Sequence, residues 1–568
     1  MTPKFLSGDR TSPSSASAHR YVHPAAFLVL ILAVAWFSGL GLRGLYMPDE
    51  GRYAEIPREM LVSGDWLTPR LDGLKYFEKP PLQYWATAIT YAALGESEWT
   101  ARLWPALTGF AGILVVALAS IRLWSLRIGI LAGMLLGTSA GYFVAGQFLT
   151  LDMGLTFFLT CALMAFLIAQ QEGITTRQQT QWMLASWVAL GLAVLSKGLV
   201  AIALPALALS AYALSTRSVA VFTRVNLIAG GILALLIATP WFVLVQQQNP
   251  EFFHFFFVKE HFERFSTEGH HRLGPWWYFI PIGLLGMMPW TLPAIASLAG
   301  LPSLFRRSTE GDFDHERFLL IWVLTIFVFF GISKSKLPGY VLPAFPALAI
   351  LAAMQLSKFP RQHLKYSART LAIIGALCVG TLPFLVNIHS AAPVLEQAGN
   401  AVGWLYGAGI VMLVSGLYSQ RLQGRGQLWP AANLLAGSML VSCFLISVFF
   451  TAVDGHYSAR RLVEQLDSDR RPFDASIPFY SVEMFDHSLP FYLRRTVTLV
   501  NYRSELGEGI AAEPQKYVDS MDAFVSTWAE LPAGFAVMTP RRYGELDILG
   551  LPMRELACDE RRVLVARR

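Results

Sequence analysis

The sequence predicts a mainly α-helical polytopic membrane protein with a small soluble α/β domain at its C-terminus, and three observations predict it. Of 568 residues, 54% are hydrophobic and only 15% charged, so a soluble fold would need a dry core larger than a chain of this size makes. Aromatic residues reach 13%, as expected where many segments anchor at both faces of a bilayer. Apolar stretches long enough to cross hydrocarbon recur from Ala25 to Val453 and then stop. This composition excludes an ordinary cytosolic enzyme. The formal net charge of +6 does not indicate a nucleic-acid partner, because the basic residues are scattered between apolar runs and form no stripe. Cys161, Cys378, Cys443 and Cys558 include no CxxC pair, so neither a zinc site nor a disulfide framework is expected.

A spanning helix needs roughly 20 mostly apolar residues, since lipid offers no partner for backbone N–H and C=O groups. In chain order such runs lie near Ala25–Leu42, Trp104–Ile121, Ile128–Ala145, Leu151–Ala169, Trp182–Leu195, Leu199–Leu214 and Val225–Val245. They continue near Trp276–Ala299, Phe318–Ile332, Leu337–Leu356, Leu371–Val386, Val402–Leu417 and Pro430–Val453. That makes about thirteen helices. The first lacks a small-residue cleavage site and reads as a retained helix behind a Ser-rich cytoplasmic tail, residues 1–24. With the N-terminus inside, alternate short loops carry Arg122 and Arg127, Arg177, Arg217 and Arg224, Lys358 and Arg361, or Arg421 and Arg425. These are the cytoplasmic loops by the positive-inside rule. An odd helix count places residues 455–568 outside. There, short apolar runs at Ile477–Val482, Val497–Val500, Phe535–Met538 and Val563–Val565 alternate with polar helical stretches such as Tyr517–Ala529, the pattern of a compact α/β domain. Residues 25–454 form the membrane domain.

The informative residues are charges on the outer side, where topology does not call for them. The first outer loop contains Asp49, Glu50, Arg52, Tyr53, Arg58, Glu59, Tyr76, Glu78 and Lys79. Ile56, Met60 and Leu61 give it an amphipathic turn, and Leu82–Leu94 has an apolar surface, so the loop is expected to hug the membrane. Asp152 opens the helix after Thr150, where it also suits an N-terminal capping acid. Lys197 lies in a very short outer turn, Lys334 and Lys336 in another, and Lys259, His261, Arg264, His270, His271 and Arg272 in a longer loop. Snorkelling to the headgroups accounts for some of these bases. It accounts less well for the lysines of the short turns, where positive charge opposes the topology. Ionisable residues at a membrane face mark a site. Glu78 with His261 is a candidate pair for a divalent cation, on the preference of metals for carboxylate and imidazole, although no HExxH-like spacing is present. An acidic outer loop, outer bases and an aromatic rim together point to chemistry on a phosphate-bearing lipid.

The string Met47-Pro-Asp-Glu-Gly-Arg-Tyr-Ala-Glu-Ile-Pro-Arg-Glu-Met, with Gly64-Asp-Trp and Phe77-Glu-Lys-Pro-Pro-Leu-Gln-Tyr-Trp, closely resembles the first periplasmic loop of bacterial lipid A aminoarabinosyl transferases. These belong to the GT-C glycosyltransferase superfamily and are related to protein O-mannosyltransferases. Asp152 and the segment Ser333-Lys-Ser-Lys-Leu-Pro-Gly-Tyr340 match further motifs, and the resemblance covers nearly the whole chain. It implies a GT-C fold in the bacterial inner membrane. It also implies transfer of 4-amino-4-deoxy-L-arabinose from undecaprenyl phosphate to a lipid A phosphate at the periplasmic face, by inverting single displacement, with the chain acting as a monomer. On this resemblance Asp49, Glu50 and Asp152 are the catalytic acids. Lys79, Arg264, Lys197, Lys336 and Tyr340 hold the lipid phosphate, while Arg52, Tyr53, Arg58 and Tyr76 position substrate. No cofactor is called for beyond a possible divalent cation. Two other functions share these features: another GT-C transferase acting on a protein or glycan hydroxyl, and a lipid-linked sugar flippase. The charges gather at one face and leave the midplane apolar, which favours surface chemistry over translocation.

Overall fold

The computed structural model describes residues 29–263, 274–305, 313–385, 398–466 and 476–567. Among them, eight helices are long and apolar enough to cross a membrane, and nine if the bent pair Leu126–Gly137 and Ala140–Gly146 counts as one span. The eight include Glu98–Leu123, Leu151–Ala169, Leu227–Gln248, His315–Ile332 and Leu428–Ala452. Among the remaining expected runs, Trp182–Leu195 lies within the continuous 22-residue helix Thr176–Lys197, and Leu199–Leu214 becomes the shorter apolar helix Val200–Thr216. The run at Trp276–Ala299 breaks into Phe279–Gly286 and Thr291–Ser297, and Pro289 sits at the break, where its ring and missing N–H do not continue a helix. Local chemistry sets the ends. Ser97 opens Glu98–Leu123 with a reciprocal capping box to Thr100, and Ser125 accepts from the Ile128 N–H to start the next helix.

The first long loop is built of regular elements. It forms a helix at Asp49–Ser63 that stops at Gly64, whose φ of 72° closes the last turn. A two-stranded hairpin follows, β1 (Arg70–Leu71) with β2 (Leu74–Lys75). Its turn is Asp72-Gly73 with φ of 57° and 74°, the dipeptide that a two-residue turn with positive φ favours. A second helix runs over Leu82–Leu94. The amphipathic face expected to lie along the membrane is largely covered within the protein. Tyr53, Ile56, Met60, Tyr84 and Tyr91 share one buried cluster with Leu462, Phe479, Phe485, Leu489, Phe491 and Leu499, so the apolar face covers the C-terminal unit. Of the second helix, Ile89, Ala92, Ala93 and Leu94 remain exposed.

The C-terminal unit is a six-stranded sheet ordered β5-β4-β3-β6-β8-β7. The strands are β3 (Phe479–Val482), β4 (Thr498–Val500), β5 (Tyr517–Val518), β6 (Phe535–Met538), β7 (Met553–Cys558) and β8 (Val563–Arg567). Strands β3 to β6 run parallel, with Tyr480 opposite both Thr498 and Ala536, and β8 and β7 close the sheet antiparallel. The four expected apolar runs became β3, β4, β6 and β8. The expected helix at Tyr517–Ala529 begins instead as β5, and the helix proper is Met521–Glu530, capped by Ser520. Strand β7 escaped the sequence reading because Arg554 and Glu555 give an exposed edge strand a polar look.

A buried acidic cluster joins loop and sheet. Glu59 accepts from the Asp72 and Gly73 N–H groups at 2.6 and 2.9 Å, and Asp72 accepts from the Val497 N–H at 2.7 Å. Burial, reinforced by the nearby Glu55 charge, pushes the Glu59 carboxyl from 4.5 up to about 8 against these N–H groups and Arg58. Burial raises Glu55 and Asp72 as well. An unfolded Glu releases its proton near ~4.3, so between that pH and about 8 the folded chain holds more protons than the unfolded chain. Stability from this cluster is therefore full at acidic pH and falls as pH rises through the window. Thermal unfolding in detergent from pH 5 to 9 is expected to show this decline, and Glu59→Gln, uncharged throughout, to flatten it. A midpoint that climbs across the range would refute the assignment.

Candidate active site

Glu50 is the hub of the first loop. It is completely buried and accepts from Arg102 Nε at 2.8 Å, Arg102 Nη2 at 2.9 Å and Arg43 Nη2 at 3.0 Å, with a further bond from Arg43 Nη1. The Tyr46 and Leu149 N–H groups donate to it at 3.0 and 3.1 Å. Burial alone would raise this carboxyl, and the two guanidiniums hold it far below the usual range. Glu50 thus ties the entry to the helix Asp49–Ser63 to the segment that leads into Leu151–Ala169. Expected as a catalytic acid, it has no oxygen free of these bonds to face a substrate. Arg43 and Arg102 were missed in the sequence, although an arginine near the end of an apolar helix, as Arg102 is in Glu98–Leu123, is itself a signal.

Asp49, one residue earlier, keeps 35% of its side chain exposed, with the Arg52 guanidinium 3.7 Å away. Arg52, only 3% exposed, also stands 3.8 Å from Glu78 and donates from Nη2 to Glu505 at 2.7 Å. The Tyr53 and Tyr76 rings each lie 5.7 Å from its guanidinium. The expected positioning group Arg52, Tyr53 and Tyr76 is therefore brought together around the acids. Arg58 is not part of it. Its guanidinium forms a bidentate pair with Glu55 at 2.7 and 2.5 Å within the loop's buried face. Lys79, partly exposed, donates to the Glu78 carbonyl at 2.8 Å.

A second cluster gathers residues distant in sequence. Asp152, at the start of its helix, is ion-paired with Lys197, at the end of Thr176–Lys197. The Lys197 ammonium lies 4.7 Å from the centre of the Tyr340 ring. Gly339 packs so closely on Asp152 that a Cβ there would stand 2.7 Å from the carboxylate carbon, so a larger residue would have to displace the carboxylate. Lys336 differs from its expected role. Its ammonium donates to the carbonyls of Phe330, Gly331 and Ser333 at 3.3, 2.8 and 2.7 Å, satisfying the open C-terminal end of His315–Ile332. Tyr340 stacks with Phe279 at 6.5 Å. Phe279 in turn lines an apolar groove of about 450 Å³ with Trp276, Gly283, Phe327, Gly331 and Leu348.

Arg264 and the side chain of His261 lie outside the described residues, just beyond and within the π-helical run His254–Glu263. Among the described residues no three His, Cys, Asp or Glu side chains group closely enough to hold a metal ion. Glu78 faces Arg52.

Comparison with known proteins agrees with this architecture. Residues 25–256 match the dolichyl-phosphate-mannose-protein mannosyltransferase family, and residues 466–567 match the aminoarabinose transferase C-terminal domain. An undecaprenyl phosphate-alpha-4-amino-4-deoxy-L-arabinose arabinosyl transferase of Aeromonas salmonicida is 32% identical over 66% of this chain and 68% of its own length. A protein of the same name from Erwinia tasmaniensis is 31% identical over 78% and 82%. The crystal structure of ArnT from Cupriavidus metallidurans bound to undecaprenyl phosphate superposes with a TM-score of 0.89 at 36% identity, covering 97% of this chain and 98% of that one. Its apo state gives 0.87. A helical membrane domain with acids and bases at one end, joined to such a C-terminal sheet, defines an integral-membrane glycosyltransferase of the GT-C type that uses a lipid-linked sugar. More narrowly, the chain belongs to the family of undecaprenyl phosphate-alpha-4-amino-4-deoxy-L-arabinose arabinosyl transferases.

Proposed function

We propose that this protein transfers 4-amino-4-deoxy-L-arabinose from undecaprenyl phosphate to a phosphate of lipid A, at the periplasmic face of a bacterial inner membrane. In this reading residues 1–24 are a cytoplasmic tail, 25–454 the catalytic membrane domain and 455–568 a soluble periplasmic domain. The observation that carries it is the position of Lys197 and Tyr340 beside an apolar groove, with Tyr340 stacked on a residue of the groove wall. A groove of this kind takes a polyprenyl tail, and the lysine and the phenol meet its phosphate.

The chemistry follows from the groups. An oxygen of the acceptor phosphate attacks the anomeric carbon, the bond from that carbon to the donor phosphate breaks, and the electron pair leaves with the lipid phosphate. Attack opposite the leaving group inverts the anomeric centre. The sugar becomes oxocarbenium-like in the transition state, and negative charge grows on the departing phosphate. Lys197 and Lys79 neutralise that charge, with Tyr340 as a neutral donor and Arg264 as a further cation. Asp152 holds the Lys197 ammonium in place. A phosphate acceptor is already largely ionised near neutral pH, its second pKa being roughly 6, so Asp49 is not needed to remove a proton. It faces the positive sugar instead.

Glu50, Arg58 and Lys336 take structural roles in this scheme, because their charged groups are consumed by buried partners. The test is purified protein supplied with undecaprenyl-phosphate aminoarabinose and lipid A, with the lipid A product read by mass spectrometry. Addition of one pentosamine mass is expected. Its absence with intact donor would return attention to other acceptors, and movement of donor between leaflets without transfer would favour a flippase. Lys79→Ala is expected to weaken transition-state binding by about 1.5–3 kcal/mol, the worth of a hydrogen bond to a charged group, and a folded variant with parental kcat/KM would exclude Lys79 from the phosphate site.

A further inference from the structure

We infer that the C-terminal domain completes the membrane-domain site, with Glu505 and His487 acting as positioning residues through Arg52. The inference rests on the function proposed above and adds to it a role for the C-terminal sheet.

The topology directs attention to one edge of the sheet. Strand β3 has β4 on one side and β6 on the other, all parallel, so the strand order turns back at β3. In open sheets of this kind, functional groups collect on the loops leaving the carboxyl ends at such a point. The loop after β3 carries His487 and the loop after β4 carries Glu505. Both meet the helix Asp49–Ser63. The approach is so close that a Cβ on Gly51 would lie 2.5 Å from the His487 carbonyl carbon and from the Ser488 nitrogen, a backbone contact that only glycine permits.

The bonding pattern shows what these residues do. Glu505 links the two residues: Oε2 accepts from Arg52 Nη2 at 2.7 Å, and Oε1 accepts from His487 Nε2 at 2.6 Å. Arg52 Nη1 is left 3.7 Å from Asp49 and 3.8 Å from Glu78, at ion-pair range but in tight contact with neither. Glu505 thus holds back a guanidinium that would otherwise close on Asp49 and neutralise the carboxylate facing the sugar. His487 holds Glu505 from the other side. The loop bearing His487 is itself fixed, since the neighbouring Asp486 is ion-paired with buried Arg562 and accepts from the Ser488 N–H at 2.9 Å. Backbone strain gathers on these loops. Glu483, Asn501 and Ser504 have φ of 53°, 48° and 37°, and non-glycine residues persist there only where the surroundings impose the conformation.

The test uses the full-length protein in detergent, with undecaprenyl-phosphate aminoarabinose and lipid A, and measures kcat, donor KM and the unfolding midpoint. Glu505→Gln is expected to lower kcat by about 10- to 100-fold, the range for partners that orient a reacting group, with donor KM little changed. Glu505→Asp and His487→Gln, which keep a carboxylate and a donor respectively, are expected to recover activity relative to Glu505→Gln and His487→Ala. Adding Glu505→Gln to Arg52→Ala is expected to cause no further loss, because both act through the same guanidinium. Parental kcat in folded Glu505→Gln, or losses that multiply in the double variant, would overturn the inference. So would activity that follows the unfolding midpoint alone across the four Glu505 and His487 single variants. If wild type itself adds no sugar to lipid A, the proposed function fails. If wild type is active and Glu505→Gln equally so, only the inference fails.

Discussion

Asp49→Asn is expected to lower transfer by about 10²- to 10³-fold, the range for losing one electrostatic stabiliser of a transition state, while leaving the fold intact. The substitution is nearly isosteric and removes only charge. Asp49 has a 35% exposed side chain, and Arg52 approaches it no closer than 3.7 Å, so stability depends little on its ionisation. Its proposed work is electrostatic and falls in the transition state, where a positioned carboxylate meets a sugar gaining positive charge. The loss should therefore appear in kcat, with donor binding retained. Equal turnover in wild type and Asp49→Asn, read by mass of the lipid A product, would assign Asp49 to structure and move the search to Asp152.

Glu50→Ala, one residue along, is expected to fail for a different reason. The change removes the acceptor of four guanidinium hydrogen bonds and two backbone N–H groups. It leaves Arg43 and Arg102, both buried, without their anion. Breaking a buried pair in this way costs about 3–5 kcal/mol, a large part of the stability of most domains. The expected result is a steep fall in yield and in unfolding midpoint. A Glu50→Ala protein as stable as wild type would show that the two arginines find other anions, and would reopen a catalytic role for Glu50. The contrast between neighbours is informative. Two adjacent carboxylates of one motif are separated by burial into a group that faces substrate and a group that holds the backbone.

That separation was not legible in the sequence. Asp49 and Glu50 read alike there, as do Lys197 and Lys336, both lysines of short outer turns. The structure distinguishes each pair by what surrounds it: Lys197 lies against Asp152 and Tyr340, whereas Lys336 is spent on three helix-end carbonyls. Arg58 reads as an outer-face base and proves to be locked to Glu55. The amphipathic first loop suggested a membrane surface, because periodicity shows that an apolar face exists without showing what covers it. The cover is the C-terminal sheet.

By itself the sequence determined the membrane class, the positions of most apolar helices, the first loop rich in charge and the strands β3, β4, β6 and β8. These depend on local hydrophobicity and periodicity, which act over a single element. Only the tertiary structure decided which acids are exposed, which bases are already occupied, and that Glu505 and His487 reach Arg52 from more than 400 residues away along the chain. Electrostatic roles depend on burial and on partners within a few ångströms, and those neighbours are assembled by folding from segments that carry no mark of one another in sequence.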